Sequence, residues 1–359
     1  MNGHPYRSMP DSAFWRRSVA ATAPWADPIA GPFLRLSRDD KVATAGSCFA
    51  QHIARHLAAS GFHYLVTETA HPIVPAEAAK AAGYGLYTAR YGNIYTTLQL
   101  VQLFDRAYGR FEPAEAPWQI AGGGIADPFR PTIQPGGFSS EAELATDRAH
   151  HFAKVREAFE TLDVFVFTLG LTEGWVSTVD GAAFPICPGV AGGTFDSATH
   201  RFHNLRAAEV RSQLGTFVER LRSVNPRARV MLTVSPVPLA ASASAQHVLP
   251  ATIYSKSVLR VAAQEACEEI PDVFYFPSYE IITGPQARGR FYAEDLREVT
   301  EEGVSHVMAV FLRHAAGVES TSAPAAKPQS TEAGVAPEIA AWIETMCDEA
   351  MLDQPAADV

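Results

Sequence analysis

Residues 41–65 read KVATAGSCFAQHIARHLAASGFHYL, and within them Gly46-Ser47-Cys48 stands between a short apolar run and a helical pattern. A serine at a helix start has two chemical uses. Its oxygen can cap the helix by accepting a hydrogen bond from an orphan N–H of the first turn. It can also attack an acyl carbon, because those N–H groups and the positive end of the helix dipole stabilise a developing oxyanion. Cys48 shares the position, where a thiol loses its proton more readily. Cysteine is also among the most buried residue types, so inward packing competes with that reading. A serine nucleophile further needs a neighbouring base to take its proton.

Ligands of an open parallel sheet gather beyond the carboxyl ends of its strands. The polar residues just after each apolar run are therefore the candidates: Gly46-Ser47, Gly92-Asn93, Gly170-Leu171-Thr172-Glu173, Ser235 and the segment FYAEDLREVTEEG at 291–303.

The elements that must position them follow from periodicity. Phe49, Ile53 and Leu57 recur at i, i+4 and i+8, which predicts a helix beginning just after Ser47. KVATA, HYLVTET, DVFVFTLGL, ARVMLTV and DVFYF read as strands, with helical patterns such as TTLQLVQLFDRAYG, RAAEVRSQLGTFVERLRSV, TIYSKSVLRVAAQEACEEI and TEEGVSHVMAVFLRHAA between and after them. DVFVFTLGL is apolar almost throughout, which predicts burial on both faces, as in a parallel sheet. The expectation is a three-layer α/β domain over 36–316, an irregular arm over 1–35, a flexible linker over 317–335, and a short helix and tail over 336–359. The segments 110–140 and 176–206 interrupt the alternation, and loops of that length are usually lids or binding loops.

The chain has 359 residues, 47% of them hydrophobic and 19% charged, and a net charge of −10. With no Lys/Arg block, neither a nucleic-acid partner nor an anionic membrane surface is expected. Cys48, Cys187, Cys267 and Cys347 are scattered, without the spacing of a metal site or a disulfide framework. After Arg16-Arg17 the stretch SVAATAPWADPIAGPFL is broken by prolines, so it lacks a secretory apolar core. A reduced, cytoplasmic protein without metal or cofactor is the expectation.

GSCFA at 46–50, followed in order by RYGNIYT, DPFRP, FTLGLTEGW, TVSPVPL, YSKSVLR and FPSYEII, resembles the bacterial branch of the GSCFA-domain family, which is similar to the SGNH/GDSL hydrolases. The resemblance implies a flavodoxin-like α/β/α sandwich with Ser47 as nucleophile against an ester or acyl carbonyl. It implies an oxyanion hole built from the serine N–H, a glycine N–H and an asparagine side chain. Gly92, with Asn93 beside it, matches the glycine block. A turn needing positive φ is the other reading of Gly92. Gly170-Leu171-Thr172-Glu173 matches Gly-x-Asn-Asp/Glu and so puts Thr172 where the asparagine belongs. The last block puts Asp295 at the aspartate and Glu298 where the histidine belongs.

Several residues compete for the missing base: Glu298 itself, buried beside Arg297, or His203 and His247 on loops, or His306 in the final helix. Lys256 and Arg130 fit either a bound carboxylate or phosphate or ordinary salt bridges. Glu173 beside Trp175 fits a sugar-stacking edge or plain core. The leading functional expectation is a serine acyl hydrolase or O-acyltransferase on an acylated carbohydrate or small metabolite. The alternative is a catalytically altered or silent module that binds a glycan or a protein partner. A fainter third is a non-hydrolytic enzyme using Glu173, Glu298 and a loop histidine as acid and base.

Overall fold

The computed structural model describes residues 4–317 and 351–352. Its helices are α1 (Trp15–Thr22), α2 (Phe49–Ala59), α3 (Ala76–Ala81), α4 (Thr97–Ala107), α5 (Glu141–Thr161), α6 (Ala207–Val224), α7 (Val248–Glu269), α8 (Ser278–Thr283) and α9 (Glu301–Ala316). Its strands are β1 (Val42–Gly46), β2 (Trp118–Gln119), β3 (Ile125–Ala126), β4 (Val164–Leu169), β5 (Glu173–Ser177), β6 (Ala183–Phe184), β7 (His200–Asn204), β8 (Arg229–Val234) and β9 (Val273–Phe276).

Four parallel strands in the order β1-β4-β8-β9 form the central sheet. Successive side chains of β4 face opposite layers. Val164 and Val166 join Phe49, Ile53, Ile281, Val304 and Phe311 in a core with α2, α8 and α9. Phe165 and Phe167 join Phe104, Phe159, Phe217 and Leu259 in a core with α4, α5, α6 and α7. The chain is thus a three-layer α/β/α sandwich, and every residue of β4 is buried, as its unbroken apolar run requires.

HYLVTET, expected as a strand, supplies only a single parallel bridge, Tyr64 to Val42, on the outer edge of β1. With that bridge counted, the strand order is the flavodoxin-like 2-1-3-4-5. The strand stops there because side chains satisfy the rest of the β1 edge: the Thr44 N–H donates to Thr88 Oγ1 at 3.0 Å, and the Thr44 carbonyl accepts from the Tyr91 hydroxyl.

Two other expectations change. The segments expected as long loops carry β structure: β2 pairs antiparallel with β3, and β6-β5-β7 form a three-stranded antiparallel sheet. Trp118, Phe129, Phe184 and Ile186 give this region its own small core. The arm expected to be irregular contains α1, and its Trp25 packs tilted against Phe291 and edge-on to His306. The linker and the C-terminal helix expected beyond 317 lie outside the described residues, apart from 351–352. Among the described residues no helix is long and apolar enough to cross a membrane.

Candidate active site

β1 delivers Ser47 to the carboxyl edge of the sheet through a conformation only glycine adopts easily. Gly46 has φ +137°, and a Cβ there would collide with the Thr168 carbonyl of the neighbouring strand. The Ser47 N–H donates to Thr168 O at 3.3 Å, and its carbonyl accepts from the Ala50 N–H as α2 begins. Cys48, not Ser47, occupies the cap position, and no side chain caps the helix. Ser47 is 4% exposed and its Oγ has no hydrogen-bond partner among the described residues. The capping use of this serine is therefore not realised. Leaving a buried hydroxyl unsatisfied costs about 1–3 kcal/mol, and a catalytic role is one of the few reasons to bear that cost.

The hydroxyl belongs to a cavity of about 10 Å³, lined by Ser47, Cys48, Tyr95, Gly170, Ser235 and Lys256, with Val237, Pro238 and Leu239 as an apolar wall. That is room for roughly one water. The residues following β1, β4 and β8 meet here, as the parallel sheet dictates. Gly170 is the hub. A Cβ on it would lie 3.3 Å from Ser47 Cβ, its N–H donates to Tyr95 O at 3.2 Å, and its carbonyl accepts from Lys256 Nζ at 2.6 Å. Lys256 comes from α7 and is 2% exposed. Its neighbour Ser255 accepts from the Thr172 N–H at 2.9 Å, which ties the same helix to the same strand end.

RYGNIYT packs against this edge. The Ile94 N–H donates to Gly46 O at 2.9 Å, and Asn93 Oδ1 accepts from Gln51 Nε2 of α2 at 3.2 Å. Gly92 has φ +71° with open space around it, the signature of a turn. A buried ionic network holds the segment from behind. Arg90 is 2.9 Å from Asp147, and its backbone N–H donates to Glu68 at 2.8 Å. Arg130 bonds Asp127 and Asp147 at 3.0 and 2.8 Å, so its guanidinium is committed to structure and not to a ligand. Burial alone would raise the Asp127 carboxyl, but the charges of Arg130, Arg148 and Arg106 hold it well below the usual carboxylate range.

The other sequence-derived candidates are dispersed. Thr172 Oγ1 donates to Asn204 Oδ1 at 2.7 Å, so its hydroxyl is spent on β7 and not on an oxyanion. Glu173 accepts from the Ser242 hydroxyl at 2.7 Å and the Ala243 N–H at 3.2 Å. Burial outweighs those bonds and raises its carboxyl above the ordinary value. Glu173 thereby anchors the loop whose Val237–Leu239 stretch walls the cavity. His203 pairs with Glu209 at 3.0 Å and lines a separate small pocket with Thr172 and Trp175.

Asp295 and Glu298 are exposed, and neither lines the Ser47 cavity. Asp295 Oδ1 accepts the N–H groups of Arg297 and Glu298, both at 3.0 Å, closing a local turn with Leu296 at φ +56°. Glu298 is thus not the buried base that its alignment position suggests. His247 is not on a loop over the site. It is the exposed N-cap of α7, where Nδ1 accepts from the Leu249 N–H at 3.1 Å. His306 contacts Ala26 O at 3.2 Å on the far face of α9.

Lys256 is the cavity residue that the sequence assigned only to binding a carboxylate or phosphate or to ordinary salt bridges. Its signal was present. Ser255 and Lys256 are polar in a helix whose Ala251, Val258, Leu259 and Ala262 are core, and both are buried. Among the described residues no group of three or more His, Cys, Asp or Glu side chains is arranged to hold a metal.

The GSCFA family matches residues 41–311. Among curated proteins no match is found. A solved acetyl xylan esterase from the rumen bacterium Butyrivibrio proteoclasticus is similar at 11% identity and a TM-score of 0.29, over 79% of this chain. This chain spans 65% of that protein's length.

Proposed function

The chain belongs to the GSCFA family, and we propose that it is a serine-dependent acyl hydrolase or O-acyltransferase with Ser47 as nucleophile. Its substrate is an acylated carbohydrate or small metabolite. The observation that carries this reading is the Ser47 hydroxyl, buried and without a hydrogen-bond partner among the described residues, at the start of α2 and in a cavity built from three strand ends. Attack by Oγ on an acyl carbon places the new oxyanion near the first turn of α2, whose N–H groups and dipole favour negative charge. The cavity is too small for a substrate as it stands, so the loop anchored by Glu173 opens to admit the acyl group. Cys48, Cys187 and Cys267, none of them in a disulfide, suit a reducing, cytoplasmic setting.

The alternative, a silent module that binds a glycan or a protein partner, is favoured by one observation. Asp295, Glu298 and His247, the positions expected to supply acid and base, are absent from the residues lining the cavity. Incubation with a fluorophosphonate probe, followed by intact-protein mass spectrometry, separates the two. An enzyme gains one adduct that Ser47→Ala abolishes; a folded wild type that gains none is a binding module.

A further inference from the structure

Besides its serines, the Ser47 cavity is lined by three side chains able to exchange a proton: Cys48, Tyr95 and Lys256. From this placement we infer that Lys256 is the proton acceptor for Ser47, an assignment that rests on reading Ser47 as the nucleophile. In their neutral forms a thiol and a phenol are acids, whereas an amine is a base. Lysines also give up their charge more readily when buried, which is what fits them for this work, and serine–lysine pairs are an established variant of nucleophile and base.

The geometry supports the pairing. Ser47 packs against Gly170, and Lys256 Nζ reaches the carbonyl of the same glycine at 2.6 Å. That hydrogen bond holds the amine at the strand end where Ser47 stands. The two do not bond directly, since Ser47 Oγ has no partner among the described residues. The cavity they share has room for roughly one water, and one water is the span over which a base acts.

The proton balance closes. As Oγ bonds to the acyl carbon, its proton passes to neutral Lys256. The oxyanion collapses, the ester C–O bond breaks, and the leaving alkoxide takes the proton from the Lys256 ammonium. Water, or a sugar hydroxyl in a transferase, then attacks the acyl-serine and gives its proton to Lys256. Ser47 leaves with that proton.

The test is the rate of Ser47 modification by a fluorophosphonate between pH 5 and 10, read by intact mass, for wild type, Lys256→Met and Lys256→Arg. Circular dichroism checks the fold of each. The wild-type rate is expected to climb with pH to a plateau, and both variants to be slower by about 100-fold or more and to lose that climb. Arginine can donate to Gly170 O but cannot accept a proton. An arginine variant that keeps the wild-type rate and profile therefore makes Lys256 a structural donor and overturns the assignment. A flat wild-type profile overturns it even where a variant fails to fold. Absence of wild-type labelling at Ser47 instead overturns the acyl-transfer reading, and the base falls with it.

Discussion

Glu68 Oε2 stands 2.7 Å from Nδ1 of His151, and both side chains are sealed from solvent. Burial, then the charge of Arg130, holds His151 down to about 4 from an ordinary 6.5, despite the pull of Glu68. Burial would raise Glu68, but the His151 hydrogen bond and the charges of His151 and Arg130 bring it to about 2 from 4.5. Because burial keeps His151 neutral near pH 7, a donated Nδ1–H, and not an ion pair, joins the two.

Both shifts act in one direction. Below pH 6.5 the unfolded chain binds a proton at His151 that the folded chain refuses until about pH 4. The Glu68 contribution is complete above 4.5 and is lost as pH falls toward 2. Unfolding free energy is expected to fall by on the order of 3 kcal/mol between pH 7 and 4. Denaturant titrations across that range check it, and a flat profile would refute the arrangement.

Ser47→Ala is expected to abolish probe labelling while raising stability, because it removes a hydroxyl that is buried without a partner. The gain is roughly 1 kcal/mol, or about 2 °C in melting temperature. A drop in melting temperature would mean that the hydroxyl makes a bond in solution.

Gly46→Ala is expected to destabilise by about 3 kcal/mol or more, since alanine at positive φ is strained and the methyl meets the Thr168 carbonyl. Thermal melts measure the loss. A variant as stable as wild type would show that β1 leaves the sheet by another path.

Arg90→Met removes the guanidinium that Glu68 and Asp147 share, leaving Glu68 with His151 and Asp147 with Arg130. Breaking a buried pair on one side costs about 3–5 kcal/mol. The Gly92–Asn93 turn shares this anchor, so labelling at Ser47 is expected to slow in parallel, measured in the fraction that remains folded.

Glu173→Ala removes two hydrogen bonds that hold Ser242 and Ala243. Amide exchange over residues 240–246 is expected to quicken on the order of tenfold. If the loop gates the cavity, probe labelling at Ser47 quickens as well; unchanged exchange would sink the anchor role.

The start of α2 and the four strands of the central sheet are set by local sequence. An unbroken apolar run such as VFVFTL must be buried on both faces, and Phe49, Ile53 and Leu57 must share one helix face, whatever surrounds them. Gly46 before Ser47 belongs to the same local logic. Helix α5 is less legible because its buried face includes His151, which hydrophobic periodicity does not count. The β5-β6-β7 sheet was hidden because its short strands are parted by glycines and prolines and complete their core with Trp118 and Phe129, far away in the chain. Ser47 and Ser235 were legible from their places after apolar runs, but the partner of Ser47 was decided by tertiary structure. Asp295, Glu298 and His247 satisfy nearby backbone or face solvent, while Lys256 is brought to Gly170 across 86 residues of chain. Residue type and spacing mark which side chains have the chemistry; only the packing of α7 against the strand ends determines which of them shares a cavity with Ser47.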